Sequence, residues 1–491
     1  MGYKLTDEHW GNLPTVRITE IKLQNFKSVR NGTITFNCGK KHIPYGTSSD
    51  ILGIYGQNGS GKTSLVEAIS ILKHVMSGLS VPDEYADCVS AGAEYSTLSF
   101  SFDLQYPDGN KYPTNGDIRK VVYCFKLARA EKKEDEEEQP QIFKDEELDE
   151  YIPYIGYKVR IFDEVLKVSG TICGQKGILK PFLDTSNPKT FIEPKPKAEI
   201  LLGKLDEEKK VRLGIIKAKA EEKSKSFIFI MDMMELLNEY GDYSPYFQML
   251  AELRLYAKHY LFVIDSKSTG LIRLNFMLPI YTNSQIQLVP VGKRFKTTSR
   301  ALEDMTKCFD SMSCVLTQIV PGLTVSIKDY GEAISKEGKL LHTVELVAKR
   351  GDMEIPLRCE SDGVRKLIST LHLLIMVYNQ QSFTVAFDEF DAGIFEYLLG
   401  ELLLVIQNSG KGQFIFTSHN MRPLEVLKKE FIWFTTTDKD HRYVKLTGLG
   451  ESNNLRKVYY REIAMQEHYD NLYTETKRNL IISAMRKAGE E

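Results

Sequence analysis

The sequence predicts an α/β fold in which one domain is assembled from both ends of the chain. Near the start, an apolar strand (51–55) runs into a glycine-rich loop that is followed by an amphipathic helix pattern. Towards the end, residues 360–434 alternate between helix and strand patterns. Between them, residues 194–260 are helical in pattern but lack the sustained heptads of a long coiled coil. We therefore expect an α/β head that is split by a mainly helical insertion lobe.

Composition restricts the class of protein. The 491 residues are 42% hydrophobic and carry a formal net charge of −2, which predicts a globular chain and not a strongly basic nucleic-acid coat. None of the seven cysteines forms a CxxC pair, so neither a disulfide framework nor a zinc site is indicated. The N-terminus has no apolar signal core, and polar residues interrupt the longest apolar stretch, 367–387. We expect a soluble, cytoplasmic protein with no membrane contact.

The glycine-rich loop, Gly56–Thr63, fits the pattern GxxxxGK[ST]. In such a loop the glycines let backbone N–H groups surround phosphate oxygens, Lys62 reaches the β- and γ-phosphates, and the Thr63 hydroxyl binds Mg²⁺. The preceding strand and following helix provide the expected context. The motif predicts ATP and Mg²⁺ as cofactors, bound by Gln57, Asn58, Gly59, Ser60, Gly61, Lys62, Thr63 and Ser64.

Two later strands also end in polar side chains. The buried-strand pattern 384–387 is followed by Asp388, which would complete the Mg²⁺ shell, and by Glu389, which would orient and deprotonate the attacking water. The strand pattern 413–417 leads to His419 at the same edge of the sheet, in reach of the γ-phosphate and that water. Glu389 and His419 are therefore the predicted catalytic residues, and Thr63 and Asp388 the predicted metal ligands.

A helix start precedes the acidic strand. Ser361 and Asp362 are favourable N-cap residues, and a helix start offers free N–H groups and a positive dipole end to an anion. An ordinary capped helix would have the same pattern. From these residues alone both interpretations remain open.

The order of these motifs resembles the ABC ATPase superfamily in its SMC and RecF branch. Asn25-Phe26-Lys27-Ser28 resembles the segment that opens those heads, and Glu360-Ser361-Asp362-Gly363 resembles their signature motif. In that family the signature contacts the γ-phosphate of ATP on the opposite protomer. The resemblance thus implies a homodimer, or a higher homo-oligomer, with composite ATP sites. It adds five nucleotide-binding residues, which are Asn25, Lys27, Ser28, Ser361 and Gly363.

Within this branch the chain resembles the bacterial AAA-domain, OLD-like ATPases of anti-phage systems such as PARIS and Septu, over residues 16–105 and 340–435. That resemblance implies a sensor or scaffold that controls a separate effector protein. Two elements depart from the family pattern. Gln105 is a candidate for the Q-loop glutamine, and Asp391 is a candidate in place of the usual D-loop.

The motifs divide the chain into four parts. Residues 1–125 form the N-terminal half of the ATPase head, and 336–437 form its C-terminal half. Residues 126–335 are the insertion, with a solvated acidic loop at 131–138 and the helical lobe, and 438–491 form a C-terminal helical tail.

A RecF-like ATPase of DNA repair or maintenance is the alternative function. The basic group Lys293-Arg294-Phe295-Lys296, followed by Arg300, would grip a nucleic-acid backbone in that case. A solvated helix entry explains the same residues.

Overall fold

The structure is a computed structural model. It describes residues 13–36, 49–106, 118–131, 157–172, 175–186, 206–238, 244–264, 277–282, 285–334, 338, 340–446, 454–465, 472–473 and 477–488. The turn predicted at 107–110 lies outside these residues, as does all of the predicted acidic loop after Glu131.

An antiparallel sheet of six strands, ordered β2-β1-β4-β5-β6-β7, forms one layer. Alternating apolar side chains of β4, such as Phe100 and Phe102, are completely buried, as expected for a sheet with one face on a core. The pairing of β4 with β5 confirms the predicted hairpin. The strands are β1 (Thr15–Phe26), β2 (Val29–Thr35), β4 (Tyr95–Gln105), β5 (Ile118–Ala130), β6 (Lys158–Ile172) and β7 (Gln175–Asp184).

A second six-stranded sheet, ordered β18-β17-β3-β16-β15-β8, is parallel except at β18. Its central strands are buried along their whole length, which explains their continuous apolar sequences. The strands are β3 (Asp50–Tyr55), β8 (Leu261–Ile264), β15 (Thr384–Phe387), β16 (Gln413–Thr417), β17 (Ile432–Thr435) and β18 (Tyr443–Val444).

Helix α1 (Lys62–Ser77) lies in the core between the two sheets, where nearly all of its side chains are buried. It ends as predicted at Gly78, whose φ of 70° is the left-handed conformation of a glycine cap. Buried Gln413 also joins the sheets: its Nε2 donates to the Ile18 carbonyl at 2.8 Å and to Asp50 Oδ2 at 2.6 Å. The two layers therefore form one head from both ends of the chain.

The middle of the chain contains the predicted helices, α2 (Glu207–Glu222), α3 (Met231–Asn238) and α4 (Ser244–His259). It also contributes strands that the sequence did not predict, because β6 and β7 extend the antiparallel sheet and β8 becomes the edge of the parallel sheet. A four-residue apolar run such as β8 follows directly on a helix, so its periodicity cannot distinguish it from that helix.

A separate apolar core lies under the next helix and sheet. The predicted helix at 301–320 is confirmed as α5 (Ser299–Ile319), and the predicted strands after it as β12 (Leu323–Ile334) and β13 (Leu340–Arg350). The remaining strands here are β9 (Met277–Thr282), β10 (Gln285–Pro290), β11 (Phe295–Thr297) and β14 (Met353–Pro356). Short 3₁₀ helices lie at Asp83–Cys88, Leu357–Cys359 and Lys429–Phe431.

The last helices are α6 (Asp362–Asn379), α7 (Glu396–Ser409), α8 (Pro423–Val426), α9 (Leu455–Met465) and α10 (Arg478–Ala488). The segment predicted as a helical tail thus holds α9 and α10, but it also supplies β18 to the parallel sheet. Among the described residues, no helix is both long and apolar enough to cross a membrane.

Candidate nucleotide-binding site

Three neighbouring parallel strands bring the predicted motifs together. Strand β16 lies between β3 and β15, so the glycine loop after β3, the acidic pair after β15 and His419 after β16 meet at one sheet edge. Carboxyl ends of parallel strands are where open α/β sheets bind ligands. Here they surround a cavity of about 690 Å³.

The loop conformation requires its glycines. Gly59 and Gly61 have φ angles of 77° and 95°, and a Cβ on Gly56 would lie 1.8 Å from Thr435 Oγ1. Lys62 Nζ donates to the carbonyls of Gly56 (2.8 Å) and Gln57 (3.1 Å). The lysine therefore lies across the loop at the cavity wall.

Helix α1 begins at the loop with no side-chain cap, because its N-cap residue is Gly61. The first N–H groups of the helix therefore have no side-chain acceptor at the cap, which suits a phosphate. Burial lowers the pKa of Lys62, whereas the charges of Asp388 and Glu389 raise it. A lysine, the start of a helix and two carboxylates thus line the same cavity.

A C-terminal segment that the sequence analysis did not connect with the site supports the loop. The hydroxyl of Tyr443 on β18 donates to the Gly61 carbonyl at 2.8 Å. Arg442 donates to the Ser28 carbonyl and, at 2.6 Å, to the Thr436 carbonyl. No motif signals these residues, since the contacts with Gly61 and Ser28 join positions more than 300 residues apart.

Asp388 lies at the centre of the acidic strand end and is only 2% exposed. Its Oδ1 accepts from Thr417 Oγ1 at 2.6 Å and from Thr63 Oγ1 at 3.4 Å. A hydroxyl and a carboxylate oxygen at this spacing fit Mg²⁺, which prefers oxygen ligands. The described residues contain no group of three or more His, Cys, Asp or Glu side chains that could hold a metal ion.

Glu389 adopts a left-handed conformation, with φ 51°. Its N–H donates to Thr417 Oγ1 at 2.8 Å, and its carbonyl accepts from Lys366 Nζ at 2.7 Å. Both peptide groups that flank the residue are therefore held. No sequence motif signals Thr417 or Lys366 in this role, because each acts through a residue that is its neighbour only in the folded chain.

His419 is exposed and lines the cavity. The Asp391 carboxylate accepts from its backbone N–H at 3.2 Å and from that of Asn420 at 3.0 Å. Asp391, the D-loop candidate, thus holds the turn that carries His419. Gln105, the Q-loop candidate, ends β4 and is not among the residues that line the cavity.

Most of the predicted nucleotide-binding residues line this one cavity, whose walls are Lys27, Ser28, Asn58, Gly59, Gly61, Lys62, Thr63, Ser64, Asp388, Glu389, Thr417 and His419. Five predicted members, Asn25, Gln57, Ser60, Ser361 and Gly363, are not among them. The Ser60 hydroxyl donates to the Gln57 carbonyl at 2.5 Å, so it supports the loop from within. The Asn25 carbonyl accepts from the Ser96 hydroxyl at 2.5 Å.

Lys27 lines the cavity but is already paired. Its Nζ lies 2.6 Å and 2.8 Å from the two carboxylate oxygens of buried Glu67 on α1. The predicted nucleotide contact of the Lys27 ammonium would require it to exchange or share this partner.

The predicted signature residues lie at the start of α6 and are not among the residues that line this cavity. Ser361 is exposed and its side chain caps the helix, accepting from the Val364 N–H at 3.4 Å. Gly363 packs so closely on the turn after Glu389 that a Cβ would lie 2.5 Å from the Gly393 carbonyl oxygen. The structure therefore explains Gly363 within a single chain by this close approach.

The predicted basic group is only partly free of partners. Arg294 donates to the buried carboxylate of Glu345 at 3.2 Å and stacks 3.8 Å above the Tyr330 ring. Lys293 and Lys296 are exposed.

With this geometry in view, comparison with known proteins gives one family match. The chain matches the AAA domain family over residues 20–240. The matched part includes the glycine loop and α1 but ends before Asp388. The match and the site geometry support an ATPase of the P-loop class. No curated protein matches the chain.

Solved structures similar to this chain include an Smc head domain from Pyrococcus furiosus bound to the C-terminal domain of ScpA, with 13% identity and a TM-score of 0.40, covering 92% of this chain and 100% of that one. The SMC head domain from Thermotoga maritima has 13% identity and a TM-score of 0.35, covering 88% and 99%. The recombination mediator protein RecF with ATP has 13% identity and a TM-score of 0.33, covering 88% and 100%.

Proposed function

We propose that this chain is a Mg²⁺-dependent ATPase that works as an ABC-type dimer. The observation that carries the proposal is the position of Asp388, whose oxygen lies 3.4 Å from the Thr63 hydroxyl, in the same cavity as Lys62 and Glu389. A phosphate-binding loop, a metal-binding pair and a carboxylate base are thus within reach of one triphosphate.

Each group has a role in this proposal. Thr63 and Asp388 hold Mg²⁺, which when bound supplies charge neutralisation to the phosphates. Lys62 and the first N–H groups of α1 bind the β- and γ-phosphates, and His419 contacts the γ-phosphate. The Glu389 carboxylate accepts a proton from water as that water attacks the γ-phosphorus, and the bond to the bridging oxygen of ADP breaks.

Two variants separate binding from hydrolysis. We expect Lys62→Ala to weaken ATP binding, because it removes the cation at the loop. Glu389→Gln should keep ATP affinity and lower kcat by about 10²–10⁴-fold, the contribution of a general base. Equal loss of ATP binding in both variants would refute the role given to Glu389.

The proposed dimer forms composite sites in which Ser361 and Gly363 of one chain approach the ATP of the other. The exposure of Ser361 at a helix start supports this arrangement, since the positive end of α6 is accessible to an anion. Lys62→Ala and Ser361→Arg proteins should each be inactive, but their mixture should regain turnover at sites that combine two intact halves. No recovery, despite mixing shown by differently tagged chains, would indicate a site built within one chain.

In this proposal, ATP turnover switches the dimer between two states that bind a separate effector differently, as a sensor or scaffold of an anti-phage system does. The resemblance to OLD-like ATPases supports this role. Purification of tagged Glu389→Gln and wild-type protein from infected and uninfected cells tests it. The same effector should be retained in one nucleotide state and released in the other, and its absence from every sample would contradict the role.

A RecF-like DNA-binding ATPase is the second candidate, favoured by the exposed Lys293 and Lys296. It requires ATP-dependent DNA binding that weakens steeply with salt. Lys293→Glu with Lys296→Glu is the better charge reversal, because Arg294 is held by Glu345 and Tyr330. DNA binding that ignores both ATP and this reversal would eliminate this candidate.

A further inference from the structure

Lys366 lies on α6, and its ammonium group contacts the turn that carries Glu389. Its Nζ donates to the Glu389 carbonyl at 2.7 Å and lies 5.4 Å from the centre of the Phe387 ring. The side chain is partly buried, and burial lowers the pKa of Lys366 to about 8 although three nearby carboxylates oppose that shift. Because burying an ammonium group costs free energy, its position here indicates a specific hydrogen-bond acceptor.

The partner is a peptide group in an unfavourable conformation. At φ 51° the Cβ of an L-residue crowds its own backbone, so a non-glycine residue stays there only when its surroundings fix it. The Glu389 carbonyl accepts from the Ala392 N–H at 3.1 Å, and the Phe390 N–H of the same peptide group donates to the Thr417 carbonyl at 3.1 Å. The two side-chain contacts that hold the residue are the bond from its N–H to Thr417 and the bond from Lys366 to its carbonyl. The second is charge-assisted and is therefore the stronger kind.

We propose that Lys366 is a positioning residue for Glu389: it holds the Glu389 carbonyl and so keeps the carboxylate directed into the cavity. Without this bond the peptide keeps only its backbone bonds to Ala392 and Thr417, so it relaxes more readily towards the right-handed region, which turns the carboxylate away from the attacking water. This inference rests on the proposed function, since it assumes that Glu389 is the base.

The same contact connects Glu389 with the helix that begins at Ser361. The N-terminal part of α6 touches the turn that begins at Glu389 twice. Lys366 contacts the Glu389 carbonyl, and at Gly363 and Gly393 the two backbones meet without room for a Cβ. A displacement of the helix start therefore reaches the Glu389 peptide directly. The turnover of one chain should depend on how its own α6 is placed.

The test compares three variants of the full chain. Lys366→Met should lower kcat by about 10- to 100-fold, the effect of a misplaced catalytic group, and leave the Kd for ATP within about twofold. Lys366→Arg keeps a cationic donor and should retain most of kcat. Lys307→Met, which removes an exposed lysine paired with Glu303 on α5, is the control and should not change kcat. If the methionine variant does not fold, Lys366→Gln is measured with the same expectation.

A double-mutant cycle identifies the route of the effect. Lys366→Met combined with Glu389→Gln should hydrolyse ATP no more slowly than Glu389→Gln alone, because both changes remove the same base. Three results would each overturn the inference. They are a double variant in which the two kcat reductions multiply, a wild-type kcat in Lys366→Met, and a kcat reduction in Lys366→Met that is matched by an equal loss of ATP binding. If Glu389→Gln itself keeps wild-type kcat, the proposed function fails first, so the two failures are distinguishable.

Discussion

Thr417→Val tests how the acidic strand end is held. Thr417 is 1% exposed, and its hydroxyl donates to Asp388 and accepts from the Glu389 N–H. Valine has the same shape but neither function. Loss of a hydrogen bond to a buried carboxylate costs about 1.5–3 kcal/mol, and an unpaired buried N–H costs about 1–3 kcal/mol more. Because the free energy of unfolding of a domain is about 5–15 kcal/mol, Thr417→Val should remove a large part of it.

Urea unfolding with ATPase assays measures the effect. We expect Thr417→Val to unfold at lower urea with an unchanged m-value, and its kcat to fall because Asp388 and Glu389 lose their common anchor. Thr417→Ser keeps the hydroxyl and loses one buried methyl group, worth about 0.8 kcal/mol. Equal stability and kcat in the two variants would refute the reasoning, because the hydroxyl would then do nothing.

Two further predictions concern α6. Gly363→Ala forces a Cβ to within 2.5 Å of the Gly393 carbonyl oxygen and should lower the free energy of unfolding in urea by about 1–3 kcal/mol. The control Gly214→Ala, in open space on α2, should raise it by about 0.5–1 kcal/mol. An unchanged free energy of unfolding in Gly363→Ala would contradict the close packing. Burial lowers the pKa of His372 from 6.5 to about 4. The contribution of neutral His372 to the free energy of unfolding is therefore fully present above pH 6.5 and is lost as the pH falls through 4. At 1.36 kcal/mol per pKa unit, this acid-induced loss of unfolding free energy is about 3 kcal/mol. His372→Gln should abolish the loss, and an unchanged dependence of stability on acid pH in that variant would contradict the prediction.

The phosphate-binding half of the site could be predicted because its chemistry is local. A loop that surrounds phosphate needs glycines at fixed spacings, and Gly59 and Gly61 do adopt positive φ. The lysine and threonine follow at fixed positions on α1. Such a motif carries its own geometry, so Lys62, Thr63 and their neighbours were identified without knowing the fold.

The supports of the site could not be predicted in the same way. Thr417, Lys366, Tyr443 and Arg442 are ordinary residues in the sequence, and each matters because of what it touches across the fold. Lys27 lines the cavity, and its ammonium is also paired with Glu67, a contact that the sequence did not indicate. Glu67 is buried, and the local sequence does not indicate which cation pairs with it.

The sequence by itself determined the α/β class, the glycine loop, the acidic strand end and their order, because short-range spacing and apolar periodicity encode all four. Only the tertiary structure decided that β16 lies between β3 and β15, that β8 and β18 belong to the head sheet, and which side chains hold Glu389. Those facts depend on which strands pair and which groups are buried against each other. Both are properties of the whole packed chain, and neighbouring residues do not specify them.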